Sequence, residues 1–135
     1  MTGRRIPCVG AIIRDGDGRL LLIQRGHDPE AGRWSLPGGR VELGETDAQA
    51  VAREMLEETG LVVTAGRLVG AVERPGGGDT VLDIRDYEVT VTGGQLAAGD
   101  DAADARWVAP GEVTALPLTT GLAAALRSWG VLDGD

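Results

Sequence analysis

Gly39-Arg40-Val41-Glu42-Leu43-Gly44-Glu45, then seven residues, then Arg53-Glu54-Met55-Leu56-Glu57-Glu58-Thr59-Gly60-Leu61, is the stretch that decides the reading of this 135-residue chain. Thr46 to Thr59 contains neither glycine nor proline and stops at Gly60, the pattern of a helix with a glycine terminus. On a wheel of about 100° per residue, Ala48, Val51, Ala52, Met55, Leu56 and Thr59 fall on one arc, the face expected to pack on a sheet. Glu54, Glu57 and Glu58 fall on the opposite arc, with Arg53 at its flank. At these spacings the three carboxylates can meet within roughly 5–6 Å.

Such crowding opposes helix formation. Like charges three or four residues apart cost about 0.2–0.5 kcal/mol per pair. The last turn of a helix favours cations over anions by about 0.3–1 kcal/mol each. Arg53 offsets only part of this, and a solvated acidic face has no need of Gly39, Glu45 and Gly60 at fixed offsets. A hard divalent cation resolves the conflict, because Mg²⁺ or Mn²⁺ takes oxygen ligands and is commonly shared with substrate phosphates.

Working outward, Ile6 to Arg14 and Arg19 to Arg25 are apolar runs joined by Asp15-Gly16-Asp17-Gly18, a hairpin signal. That turn lacks the further acidic ligands of a calcium loop. Trp34-Ser35-Leu36 reads as a short strand ending at Pro37-Gly38-Gly39. Leu61 to Arg74 and Thr80 to Thr92 read as strands joined by a turn at Pro75-Gly76-Gly77-Gly78, and Gly93 to Ala103 as an acidic loop. Arg106-Trp107-Val108 is a short strand, and Leu118 to Trp129 a second helix after Pro117. Strands outnumber helices, so the expected fold is a single α/β layered domain, a mixed sheet covered by two main helices.

The formal net charge of −8 argues against a polymeric nucleic acid as partner, since phosphate neutralisation needs clustered basic residues. It allows a small phosphorylated ligand held through a metal ion. No apolar run approaches bilayer-spanning length. Arg4-Arg5 followed by the short run Val9 to Ile13 reads as a strand rather than an export signal. The single Cys8 excludes an internal disulfide, and a cytoplasmic location is expected.

Gly39 through Leu61 resembles the signature box of the Nudix hydrolase family at every specified position, and Trp34-Ser35-Leu36-Pro37-Gly38-Gly39 and the strand order extend the likeness over most of the chain. The resemblance implies an α/β/α sandwich and Mg²⁺- or Mn²⁺-dependent hydrolysis of a nucleoside diphosphate linked to another group. It implies Glu57 and Glu58 as main metal ligands, Glu54 as ligand or general base, Arg53 as the orienting cation and Glu45 as support from the loop. The Gly38 carbonyl is a further expected ligand, and Asp101 the acidic residue expected from the downstream Gly99-Asp100-Asp101 loop.

Arg25 resembles a phosphate-contacting position of the mutator branch, which cleaves oxidised purine nucleoside triphosphates, and Arg40 joins it as a candidate substrate contact. That branch reads its purine with an asparagine before the last helix. This chain has no asparagine and carries Leu118-Thr119-Thr120 there, which weakens the oxidised-purine reading. ADP-ribose and other sugar nucleotides stay open, and the stretch from Gly93-Gly94-Gln95 to Trp107-Val108 resembles proteins assigned to that group. A nucleotide-sensing module of the same fold without turnover, and an interaction domain with a merely solvated acidic face, are the competing classes. A homodimer is left open.

Overall fold

The computed structural model describes residues 3–99 and 102–133. In chain order the elements are β1 (Arg5–Ile12), β2 (Leu20–Arg25), β3 (Trp34–Ser35), β4 (Gly38–Arg40), α1 (Asp47–Thr59), β5 (Leu61–Pro75), β6 (Val81–Gly94) and β7 (Ala102–Val108). A 3₁₀ turn (Pro110–Ala115) and α2 (Leu122–Ser128) follow.

The strands form two sheets rather than the single one expected: a four-stranded β4-β1-β6-β5 and a three-stranded β3-β2-β7. In the larger sheet β1 runs parallel to β6, while β4 and β5 lie antiparallel to their neighbours. The smaller sheet is antiparallel throughout. The two join where β1 runs on into the β2 hairpin, through Leu21 N to Ile13 O at 2.9 Å.

Successive strand side chains point to opposite faces, and this alternation builds two cores. Val9, Ala11, Ile13 and Leu21 pack with Val51 and Met55 of α1. Ile12, Leu20 and Leu22 pack with Trp34, Val113 and Leu126 on the α2 side. Both faces of β1 and β2 are covered, so both strands read as unbroken apolar runs rather than alternating ones. The result is the α/β/α sandwich that the resemblance implied.

Two elements differ from expectation. Only Leu122–Ser128 of the predicted Leu118–Trp129 helix is helical. Leu118 instead bridges Trp34, the Thr119 N–H donates to the Trp34 carbonyl at 2.9 Å, and Gly121 starts the helix with a positive φ of 85°. The second difference is β4, a strand the sequence reading did not give: the Trp34-Ser35-Leu36 strand was expected to end at Pro37-Gly38-Gly39, yet Gly38 and Gly39 pair with Gly10 and Val9 of β1. Adjacent glycines signal a turn, and only the neighbouring β1 backbone makes them a strand. β7 also starts earlier than the Arg106-Trp107-Val108 segment suggested.

Helix α1 begins on a capping box. Thr46 Oγ1 accepts from Gln49 N at 3.1 Å, and Gln49 Oε1 accepts from Thr46 N at 2.9 Å. It ends at left-handed Gly60, whose N–H reaches the Leu56 carbonyl at 3.1 Å. Its buried face comprises Ala50, Val51, Met55 and Thr59, whereas Leu56 is 55% exposed. The helix is therefore rotated from the expected arc, toward the side that carries Glu54 and Glu58. That rotation brings those two glutamates against β4. Met55→Ala is expected to cost about 2–5 kcal/mol in denaturant unfolding, and Leu56→Ala about 0.5 kcal/mol or less. Comparable losses for the two would contradict this packing.

Candidate active site

Arg53 organises the acidic residues around it. Its Nε and Nη2 donate to the two carboxylate oxygens of Glu45 at 2.7 and 2.9 Å, and its Nη1 donates to Glu54 at 2.8 Å and Glu57 at 3.2 Å. Nη2 also donates to the Arg40 carbonyl at 2.9 Å, and Glu42 lies 2.8 Å from Nε. One guanidinium thus ties the loop before α1, strand β4 and the helix together. Hydrogen bonding to Arg53 holds the Glu45 carboxyl down at about 2, and hydrogen bonding to Glu45 raises the Arg53 pKa in turn.

Glu58 is directed to the strand: its Oε1 accepts from the Gly38 N–H at 2.7 Å. Glu54 lies against Gly39, where an added Cβ would overlap its carboxylate. Burial pushes the Glu54 carboxyl up, and the Arg53 hydrogen bond counteracts this. Glu57 is the outermost of the three, its side chain 60% exposed.

The expected meeting of the three heads is not what the side chains show. Among the described residues no three acidic, histidine or cysteine side chains gather closely enough to hold one ion as they stand. Like charges at these spacings repel, and each head takes a donor of its own: Arg53 for Glu54 and Glu57, Gly38 for Glu58. The donor chemistry nonetheless fits a hard divalent cation, since every side-chain group on offer is a carboxylate oxygen. Gly39, where only glycine leaves room for the Glu54 carboxylate, lies within the same cluster.

A cavity of about 660 Å³ opens beside this cluster, with Gly38, Gly39 and Glu58 in its lining. Arg25 lines it too, with Nε donating to the Pro29 carbonyl at 2.7 Å. Arg40 does not: its side chain is exposed, and its carbonyl serves Arg53. Asp101 lies outside the described residues.

Several cavity residues escaped the sequence reading. Glu30 accepts from the Thr120 N–H at 2.9 Å and from its hydroxyl at 2.6 Å, and pairs with Arg74, which closes one wall. Asp86 is only 4% exposed, and burial pushes its carboxyl up to about 6 despite Arg74 nearby. Its signal was present: Leu82, Ile84 and Asp86 alternate along β6 on the cavity side, so a charge occupies an inward position. Trp129, near the end of the expected second helix, supplies an aromatic wall.

The family model described as NUDIX domain matches residues 4–129. The chain belongs to the Nudix family. It is 42% identical over 101 residues to a Methanocaldococcus jannaschii protein named ADP-ribose pyrophosphatase, covering 70% of this chain and 57% of that one. It is 42% identical over 113 residues to a Mycobacterium tuberculosis protein named putative 8-oxo-dGTP diphosphatase 2, covering 81% of this chain and 76% of that one. Among solved structures, the MutT protein of Methanosarcina mazei Go1 superposes with a TM-score of 0.86 over 96% of both chains at 24% identity, which shows a shared fold. Nudix hydrolases generally use a divalent metal ion. Among the described residues no helix is long and apolar enough to cross a membrane.

The Glu45–Arg53 pair makes stability depend on acid. The Glu45 pKa falls from 4.5 unfolded to about 2 folded, so its contribution is present above pH 4.5 and is lost as pH falls toward 2. Glu45→Gln is expected to lower Tm at neutral pH, with the gap to the parent protein closing across that window. A gap independent of pH would show that the pair is not what stabilises the loop.

Proposed function

We propose that this protein hydrolyses a phosphoanhydride bond in a nucleoside diphosphate linked to another moiety, with Mg²⁺ held by Glu57, Glu58 and the Gly38 carbonyl and Glu54 kept as the base. The observation that carries the reading is the contact of Glu58 with Gly38 in the cavity lining, beside the acids that Arg53 organises. Substrate phosphates would lie beside that contact and the nucleoside in the cavity. A cavity of about 660 Å³ falls in the range of small-molecule sites, roughly 300–1,000 Å³.

Bound there, Mg²⁺ would neutralise the diphosphate and lower the pKa of a water molecule. Glu54 is the proposed base. Its partial burial raises its proton affinity, and a base of raised pKa accepts a proton from water more readily at neutral pH. Arg53 fixes the Glu54 carboxylate through the 2.8 Å hydrogen bond, so that the proton acceptor stays in one position. Glu45, bound to Arg53 through both oxygens, stops the guanidinium from turning toward the substrate. Arg25 would meet a phosphate at the cavity wall. Attack in line at one phosphorus then releases two phosphorylated products.

The names of the two relatives, an ADP-ribose pyrophosphatase and a putative 8-oxo-dGTP diphosphatase, share the nucleoside diphosphate unit and differ in the group attached to it. The proposed substrate class is that shared unit, a small nucleotide handled in the cytoplasm.

Glu54→Gln, Glu57→Gln and Glu58→Gln should each lower kcat by at least ~10²-fold, the scale of losing a general base or a charge-stabilising group. Assay against nucleoside diphosphate derivatives with Mg²⁺, scored by product identity, tests this. Near-parental turnover in all three variants would contradict the site. Nucleotide binding without products, with or without Mg²⁺, would favour a sensor instead.

A further inference from the structure

Asp86 sits on β6, the middle of three successive strands, opposite Gly10 of β1 on one side and Gly70 of β5 on the other. Both glycines are there for space. A Cβ on Gly10 would overlap the Asp86 carboxylate, and a Cβ on Gly70 would overlap the Trp129 indole. The Asp86 carboxylate thus lies over Gly10 and the Trp129 indole over Gly70, and both side chains line the cavity. Among the described residues, Asp86 is 4% exposed and its side chain accepts no hydrogen bond. A second polar atom in the same cavity, Thr119 Oγ1, is also buried without a partner.

A buried acid without a hydrogen-bonded partner destabilises a fold, and an apolar side chain of similar volume is commonly more stable there. Two such groups lining one cavity point to a ligand that satisfies both. Gly10 pairs with both Asp86 and Gly38. The acid thus lies two strand spacings from Gly38, on the order of 10 Å. This matches the reach of a nucleoside from its phosphate to the far edge of its base.

We propose that Asp86 selects the nucleobase, accepting a hydrogen bond from an exocyclic amino group on a base held in the cavity between Asp86, Thr119 and the Trp129 indole. This selection rests on the nucleotide hydrolysis proposed for the same site. An ionised carboxylate is an acceptor only, so it favours the amino edge of cytosine or adenine and repels the carbonyl of uracil or hypoxanthine. Thr119 Oγ1, which can donate or accept, takes a neighbouring ring position. The expected preference is for amino-bearing nucleotides, which narrows the substrate class.

The test is calorimetric titration of the whole protein with CMP, UMP, AMP and IMP. At least one amino nucleotide, CMP or AMP, should bind about 10-fold or more tightly than its oxo counterpart, the scale of a hydrogen bond to a charged group. In Asp86→Asn the amide can turn to meet either edge, and the ratio should fall to about 3-fold or less. Gly10→Ala keeps the acid but displaces it, and should collapse the same ratio. It stands in should Asp86→Asn fail to fold. Equal binding of amino and oxo nucleotides by the parent protein, or an unchanged ratio in a folded variant, would overturn the role of Asp86 and leave phosphoanhydride hydrolysis standing. Failure to bind any of the four, together with no turnover of any nucleoside diphosphate derivative, would overturn both.

Discussion

The guanidinium of Arg53 is the constraint on which the rest of this site depends. The C-terminal end of α1 carries Glu54, Glu57 and Glu58, and its last turn holds no basic residue, at the helix end where anions are least favoured. Arg53 sits one turn back and meets Glu54 and Glu57 with one nitrogen, Glu45 with the other two, and the Arg40 carbonyl besides. Its planar fork suits this task in a way a lysine point charge does not. It lowers the repulsion along the helix, and it also fixes loop and strand relative to the acids.

A second constraint is close approach. Helix α1 can lie against β4 only because that strand begins with two glycines. A side chain on Gly38 would run into the β1 backbone, and one on Gly39 into Glu54. The same device recurs across the sheet, where Gly10 and Gly70 pair with Asp86 and leave room for its carboxylate and for the Trp129 indole. Glycine in a strand interior costs stability, and so does an acid without a hydrogen-bonded partner. The chain tolerates both where the two cores meet, while Ile13, Leu21, Val51 and Met55 are fully buried beside them. Stability is concentrated in the α1 core, and the strained polar arrangement lines the cavity.

The sequence made some of this legible, for identifiable reasons. A run free of glycine and proline, the glycine stop, apolar periodicity and the Asp15-Gly16-Asp17-Gly18 turn are local signals, so α1 and the β1–β2 hairpin were readable. Glu54, Glu57 and Glu58 were singled out because their spacing violates local preference, and Glu45 and Arg53 through the resemblance to the family signature. The rest depended on tertiary context. Leu118-Thr119-Thr120 read as helix but is claimed by Trp34, and Gly38-Gly39 read as the end of a strand but is paired with β1. The rotation of α1 follows from the sheet it meets rather than from its own wheel, so Leu56 was wrongly expected inside. Asp86 was visible as an acid at an inward β position, yet its glycine neighbours come from strands distant in sequence. Arg40 was expected to reach the substrate by side chain and instead serves Arg53 through its backbone.

The central claim is that negative charge is gathered on one helical turn, against a glycine strand, to grip a cation shared with a diphosphate. Anomalous diffraction at the manganese edge, from crystals grown with Mn²⁺ and a non-hydrolysable nucleoside diphosphate derivative, tests it most directly. The account predicts a manganese peak in contact with carboxylates of the Glu54–Glu58 turn and with a ligand phosphate. A peak elsewhere, with that turn bound to Arg53 and Gly38 alone, would contradict it.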